Sequence, residues 1–156
     1  MKRTASLGLG ACAALLMAAG ALSPAAHAET VDFGQPTDID VVDIEIEQHW
    51  TVSDLQPSAD ALPYQPAGAL WEATTAVTLD HGGVPMISGF SARSAADSYP
   101  VLWAVASPLG IPPTALPPGG TASGKIYFDV TGAAPTSVVY TLEGADAAAW
   151  GQSPPA

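Results

Sequence analysis

Trp71-Glu72-Ala73-Thr74-Thr75-Ala76-Val77-Thr78-Leu79 decides the fold class. Read with a period of two, it places Trp71, Ala73, Thr75, Val77 and Leu79 on one face and Glu72, Thr74 and Thr78 on the other, the alternation of a half-buried strand. Gly124-Lys125-Ile126-Tyr127-Phe128-Asp129-Val130 repeats the pattern, with Ile126, Phe128 and Val130 facing inward, Lys125 and Asp129 outward, and Thr131-Gly132 as its stop. Further strands are predicted over residues 39–48, 50–55, 86–92, 99–105 and 137–142, and only residues 144–150 look helical. Seven or so short strands, each burying one face, must pair face to face, so the expected fold is an all-β, immunoglobulin-like antiparallel sandwich. The proline-rich stretches 56–68 and 107–120 read as ordered surface loops, and Gly82-Gly83 and Gly119-Gly120 as turns that lack the spacing and following helix of a phosphate loop.

The first 28 residues have a different character. Lys2 and Arg3 precede an uncharged Ala, Leu, Gly and Met run, and Ala26-His27-Ala28 has the small-x-small form of a cleavage site, so a secretory signal peptide ending at Ala28 is expected. A membrane anchor is disfavoured by the glycines and serines of the run and by the lack of a second apolar stretch. Leu9-Gly10-Ala11-Cys12 resembles the cluster before a lipidated cysteine, but only about seven apolar residues precede Cys12, at the short limit for such a segment. Cleavage after Ala28 leaves 128 residues, the size of a single domain (29–156), with all eleven aromatic residues inside it. Cys12 departs with the leader, so the domain has no disulfide to form, and the absence of Asn removes N-glycosylation.

Arg93 and Lys125 are the only strong cations of residues 29–156, against fifteen acids, a net charge of −13 with His neutral. Without a basic patch to release counterions no nucleic-acid partner is expected, and after leader cleavage no membrane partner either. The charge concentrates in Asp38-Ile39-Asp40-Val41-Val42-Asp43-Ile44-Glu45-Ile46-Glu47. Taken as one strand with a bulge near Val41-Val42, this segment would bury its aliphatic residues and line Asp38, Asp40, Asp43, Glu45 and Glu47 along one exposed strip. Such a strip would resist edge-to-edge aggregation, and could also meet a basic protein surface or hold Ca²⁺ weakly, although the Asp-x-Asp-x-Asp-Gly loop is missing.

Catalytic signatures are weak. His49 and His81 lie in separate segments without His-x-x-x-His or His-Glu-x-x-His spacing, so no metal site and no cofactor are expected, and no serine sits in a Gly-x-Ser-x-Gly elbow. Trp50, Trp71, Trp103 and Trp150 are expected to pack the core rather than form a sugar-binding platform.

Trp50-Thr51-Val52-Ser53-Asp54-Leu55, Leu70-Trp71-Glu72-Ala73, Phe90-Ser91-Ala92-Arg93, Val101-Leu102-Trp103 and Gly124-Lys125-Ile126-Tyr127-Phe128-Asp129-Val130-Thr131-Gly132, in this order, resemble the mycobacterial MPT/MPB family of small secreted immunogenic antigens. The resemblance runs from about Trp50 to Trp150 and fades over Asp38 to Glu47. It implies a disulfide-free immunoglobulin-like sandwich and secretion, and it carries no catalytic residue. The expected role is therefore a non-catalytic, monomeric extracellular interaction module or antigen that meets a basic surface of the host or cell envelope. The alternatives are an extracytoplasmic enzyme, which would need a cleft joining His49 or His81 to carboxylates, and a weak cation-binding protein.

Overall fold

A computed structural model describes residues 28–41 and 46–152. The expected leader lies outside them except for Ala28, as do Asp43 and Glu45. Among the described residues nine strands run in chain order: β1 (Thr30–Asp32), β2 (Pro36–Val41), β3 (Ile46–Pro57), β4 (Ala69–Leu79), β5 (Phe90–Arg93), β6 (Ser98–Pro100), β7 (Gly120–Val130), β8 (Ser137–Leu142) and β9 (Ala145–Gly151). They form a five-stranded sheet in the order β1-β9-β8-β5-β6 and a four-stranded sheet in the order β2-β3-β4-β7. All pairings are antiparallel except β1 with β9. This is the expected immunoglobulin-like sandwich.

The alternation in β4 holds: Ala73, Thr75, Val77 and Leu79 are buried, while Thr74 and Ala76 are exposed. Its neighbour β7 buries Ile126, Phe128 and Val130 against the same interior. Between the sheets Trp50 of β3 meets Phe90 of β5 edge to face at 4.8 Å, and Phe90 meets Tyr140 of β8 at 4.9 Å. Trp150 of β9 completes this aromatic centre 6.0 Å from Phe90. Quadrupoles favour such tilted contacts, so the rings fix how the sheets sit as well as removing apolar area from water.

The chain itself laces both sides of the sandwich. Gly34 N–H donates to Val52 C=O in the four-stranded sheet, while Phe33 N–H donates to Gly151 C=O in the five-stranded one. Opposite, Val101 N–H donates to Phe90 C=O, and Leu102 N–H to Tyr127 C=O on the outer edge of β7. Lys125 N–H, which also faces that edge, is taken by Leu109 C=O. The free edge of β7 is thereby covered, which removes a template for intermolecular strand pairing.

Three expectations need correction. Residues 39–48 are not one bulged strand: Asp38 pairs with His49, Ile39 with Gln48 and Asp40 with Glu47, so they belong to two antiparallel strands, β2 and β3. Residues 144–150 are not a helix but the end of a turn followed by β9, because Glu143 (φ 49°) and Gly144 (φ 82°) both take the left-handed region of a two-residue hairpin turn. Pairing of β9 with both β8 and β1 then overrides the helix preference of its alanines. The segments 86–92 and 99–105 are strands only in part, over Phe90–Arg93 and Ser98–Pro100; Ile87–Gly89 is a single 3₁₀ turn.

Candidate functional site: the acidic edge around His49

On β3, Glu47 and His49 are two residues apart and project from the outer face, while Gln48 between them is fully buried. The pairing with β2 sets Asp38 beside His49 and Asp40 beside Glu47. Asp80 joins them from the turn that follows β4. That turn is rigidly held: Gly82 N–H donates to Leu79 C=O, Gly119 N–H donates to Leu79 C=O at 2.8 Å, and Gly83 and Leu116 exchange both backbone hydrogen bonds. Gly82 and Gly83, at φ +76° and +118°, supply the backbone that the turn requires.

The His49 ring bridges three carboxylates. Its Nδ1 lies 2.5 Å from Asp38 Oδ1, and its Nε2 lies 3.2 Å from Asp80 Oδ2 and 3.9 Å from Glu47 Oε1. The hydrogen bond to Asp38, followed by that to Asp80, pushes the imidazole pKa up to about 9. The ring sits at one end of a shallow depression of about 390 Å³ on the outer face of the four-stranded sheet, floored by Thr51, Ala76, Thr78, Thr121 and Ser123. His81 is exposed and outside this group. Of the five predicted acidic residues, Asp38, Asp40 and Glu47 come together across two strands, and Asp43 and Glu45 lie outside the described residues. The sequence spacing missed the contributions of His49 and Asp80, because the group is assembled from two strands and a turn more than thirty residues apart in the chain.

A second polar group lies around β7. Lys125 Nζ is 2.8 Å from Asp60 Oδ2 and 2.9 Å from Glu72 Oε1, Tyr127 OH donates to Asp60 at 2.8 Å, and Ser58 Oγ donates to Glu72. Glu72 points away from the sandwich interior, as its place in β4 requires, yet is 6% exposed because the chain after β3 folds over it. The Lys125 hydrogen bond, and then that of Tyr127, holds the Asp60 carboxyl below its usual range. Next to Lys125 and Tyr127 opens a cavity of about 250 Å³ walled by Ile87, Val101, Ile111 and the segment 102–107. Trp103 stands at this wall with 64% of its surface exposed, against the expectation of a core position, whereas Trp50 and Trp150 are fully buried and Trp71 partly so. On the other sheet Arg93 grips Asp146 with two hydrogen bonds, of 2.7 and 2.8 Å. The one arginine and the one lysine of the described residues are thus held by carboxylates, as is His49.

Residues 28–150 match the family described as a domain of unknown function, DUF1942. Immunogenic protein MPB63 of Mycobacterium bovis and immunogenic protein MPT63 of Mycobacterium tuberculosis are each 48% identical to the chain over 92 residues, which is 57% of this chain. The match spans 58% of the length of these curated relatives. The 1.5 Å crystal structure of MPT63, described as a secreted protein from Mycobacterium tuberculosis, superposes with a TM-score of 0.76 at 36% identity, covering 82% of this chain and 100% of that one. The family match takes in every strand of the sandwich except the last residue of β9, and the solved relative has the same architecture; the chain belongs to the DUF1942 family, that of the MPT63 and MPB63 immunogenic proteins.

Proposed function

We propose that the chain works outside the cell as a non-catalytic interaction domain whose acidic edge, formed among the described residues by Asp38, Asp40 and Glu47, meets a basic surface on a host or cell-envelope protein. The observation that carries this reading is the cross-strand gathering of Asp38, Asp40, Glu47 and Asp80 at one sheet edge. Among the described residues His49 alone offsets these carboxylates, since Arg93 and Lys125 are held elsewhere by Asp146 and by Asp60 and Glu72. Secretion is supported by the leader-like residues before Glu29, by the family match that begins at residue 28, and by the description of MPT63 as secreted. The immunogenic names of the relatives support an antigen-like role.

Opposite charges steer encounter and raise association rates, and salt screens that steering. The test uses the mature chain from Glu29, with protein partners captured from host-cell and envelope extracts and their association rates measured against salt. Replacing Asp38, Asp40, Asp43 and Glu45 by Asn or Gln, together with Glu47→Gln, keeps shape and removes charge. The expected outcome is a partner whose association slows with added salt and slows again with the neutralised variant. A partner that binds the parent and the variant at the same rate would refute the acidic edge as the binding surface.

A further inference from the structure

The lone pair of a neutral His49 has nowhere good to point. With Nδ1–H donated to Asp38, Nε2 of a neutral ring carries the lone pair, and it lies 3.2 Å from Asp80 Oδ2 and 3.9 Å from Glu47 Oε1, so an acceptor sits beside two carboxylates. Only a cation between them makes the arrangement favourable. A proton on Nε2 is one such cation. The three ligand atoms, which all lie within 4.8 Å of one another, can also take a larger one.

We propose that Glu47, His49 and Asp80 form a surface site for a divalent first-row transition metal of the Zn²⁺ type, with Asp38 as the outer carboxylate that orients the ring. The chemistry of the donor set selects the class. Imidazole nitrogen suits Zn²⁺ and its neighbours, whereas Ca²⁺ and Mg²⁺ prefer sites built wholly of oxygen. The dimensions agree: ligands 2.0–2.2 Å from a tetrahedral metal lie about 3.4 Å apart, so the pair at 3.2 Å is already spaced and Glu47 needs only a side-chain adjustment. The Asp38-His49 hydrogen bond is the contact by which metal-bound histidines are commonly fixed in tautomer and direction. Three protein ligands leave the fourth position to water or to a side chain of another molecule. The metal takes the place of the proton on Nε2, so uptake releases one proton where the ring starts protonated.

The support is strongest in how the ligands are carried. Glu47 and His49 project from the same face of a strand paired on both sides, and Asp80 sits in a turn tied to residues 116–119 by several backbone hydrogen bonds. Little ordering is left for the metal to impose, which favours binding. Glu47 and Asp38 belong both to this site and to the acidic edge, so a bound metal and a cationic protein partner would compete there, whereas metal uptake itself needs no partner.

The test is titration of the metal-free mature chain with ZnCl2, followed by calorimetry and by the shift in Tm. One equivalent per chain is expected, with a rise in Tm that equal concentrations of CaCl2 or MgCl2 do not produce. Co²⁺ at the same stoichiometry should give a visible d–d spectrum whose intensity reports a four-coordinate site. His49→Gln and Asp80→Asn should each abolish stoichiometric uptake, and Asp38→Asn should keep one equivalent while weakening affinity by about 10- to 100-fold. Circular dichroism of each variant separates loss of the site from loss of the fold, and Asp80→Asn, an exposed turn residue, is the variant least able to unfold the chain. The proposal is overturned if the parent shows no saturable uptake, if both His49→Gln and Asp80→Asn bind as the parent does, or if Ca²⁺ binds as tightly as Zn²⁺.

Discussion

Individual side chains divide here by whether they meet the interior or the wall of the loop that covers β7. Phe128 is fully buried in the aromatic and aliphatic centre, so its truncation should leave a cavity lined by groups that cannot collapse into it. Trp103 offers a ring just as large to water. Urea denaturation should therefore show Phe128→Ala costing about 3–5 kcal/mol and Trp103→Ala within about 0.5 kcal/mol of the parent. Equal losses would mean that Trp103 is covered in solution. Gln48 is harder to read from composition: a fully buried amide whose Oε1 accepts from Trp50 Nε1 and from Met86 N–H. Residue type announces that tryptophan prefers burial and glutamine exposure; Gln48 reverses its tendency with Trp50, two residues along its own strand, and with Met86 from the segment after β4, a contact that leaves no mark in local sequence.

At the scale of elements, the outward face of β7 has a task that its alternation does not reveal. Lys125 and Tyr127 hold Asp60, while Asp129 accepts from Tyr64 OH and from the N–H groups of Ala67 and Gly68. Three alternate residues of this strand thus moor the proline-rich connection between β3 and β4 and hold that long loop in place. Burial pushes the Asp129 carboxyl up, but the Ala67 and Gly68 amides and Tyr64 outweigh it, so its pKa is lowered, as is that of Asp60 beside Lys125. A carboxyl with a lowered folded-state pKa binds fewer protons folded than unfolded, so its contribution is present above the unfolded value of about 3.9 and is lost as pH falls through the folded one. Acidification below about pH 4 should thus loosen residues 58–68 before the sandwich, seen as early loss of amide protection there, and Asp129→Asn should bring the same loosening at neutral pH. Uniform loss of protection would show that the loop and sandwich unfold together. The strands 71–79 and 124–130 were legible because each alternates and ends at a turn signal, and 137–142 because a short Val-Val-Tyr run of strand formers lies between Pro135 and Glu143-Gly144. Residues 39–48 and 144–150 were not, because acid–aliphatic alternation looks the same in one strand as in two paired strands, and an alanine run looks helical until Glu143-Gly144 turns it back. The gathering of His49 with Asp38, Glu47 and Asp80 depends on that misjudged pairing, so no local spacing could have found it.

For the molecule as a whole, a net charge of −13 over residues 29–156 acts on folding and on binding with opposite sign. Excess like charge repels itself in the compact state, so screening it should stabilise the fold, while the same screening weakens attraction to a cationic partner. Against this stand the ion pairs of Arg93 with Asp146 and Lys125 with Asp60 and Glu72, which salt would weaken. They are few, short and partly buried, and partly buried pairs are screened far less than exposed charges spread over the surface. Raising NaCl from about 10 mM to about 300 mM shortens the Debye length from about 30 Å to below about 8 Å, so repulsion between carboxylates on different strands is largely removed while contacts near 2.8 Å persist. The expected result is a Tm that rises with salt and that does not respond to reducing agent, since the chain has no cysteine beyond Cys12. Neutralising Asp40, Asp43 and Glu45 to Asn and Gln, which leaves the Asp38, Glu47 and Asp80 contacts of His49 in place, should raise Tm at low salt and flatten its salt dependence, as one would find if these carboxylates are where the repulsion is densest. A Tm that falls with salt would instead place the internal ion pairs above surface repulsion in setting stability.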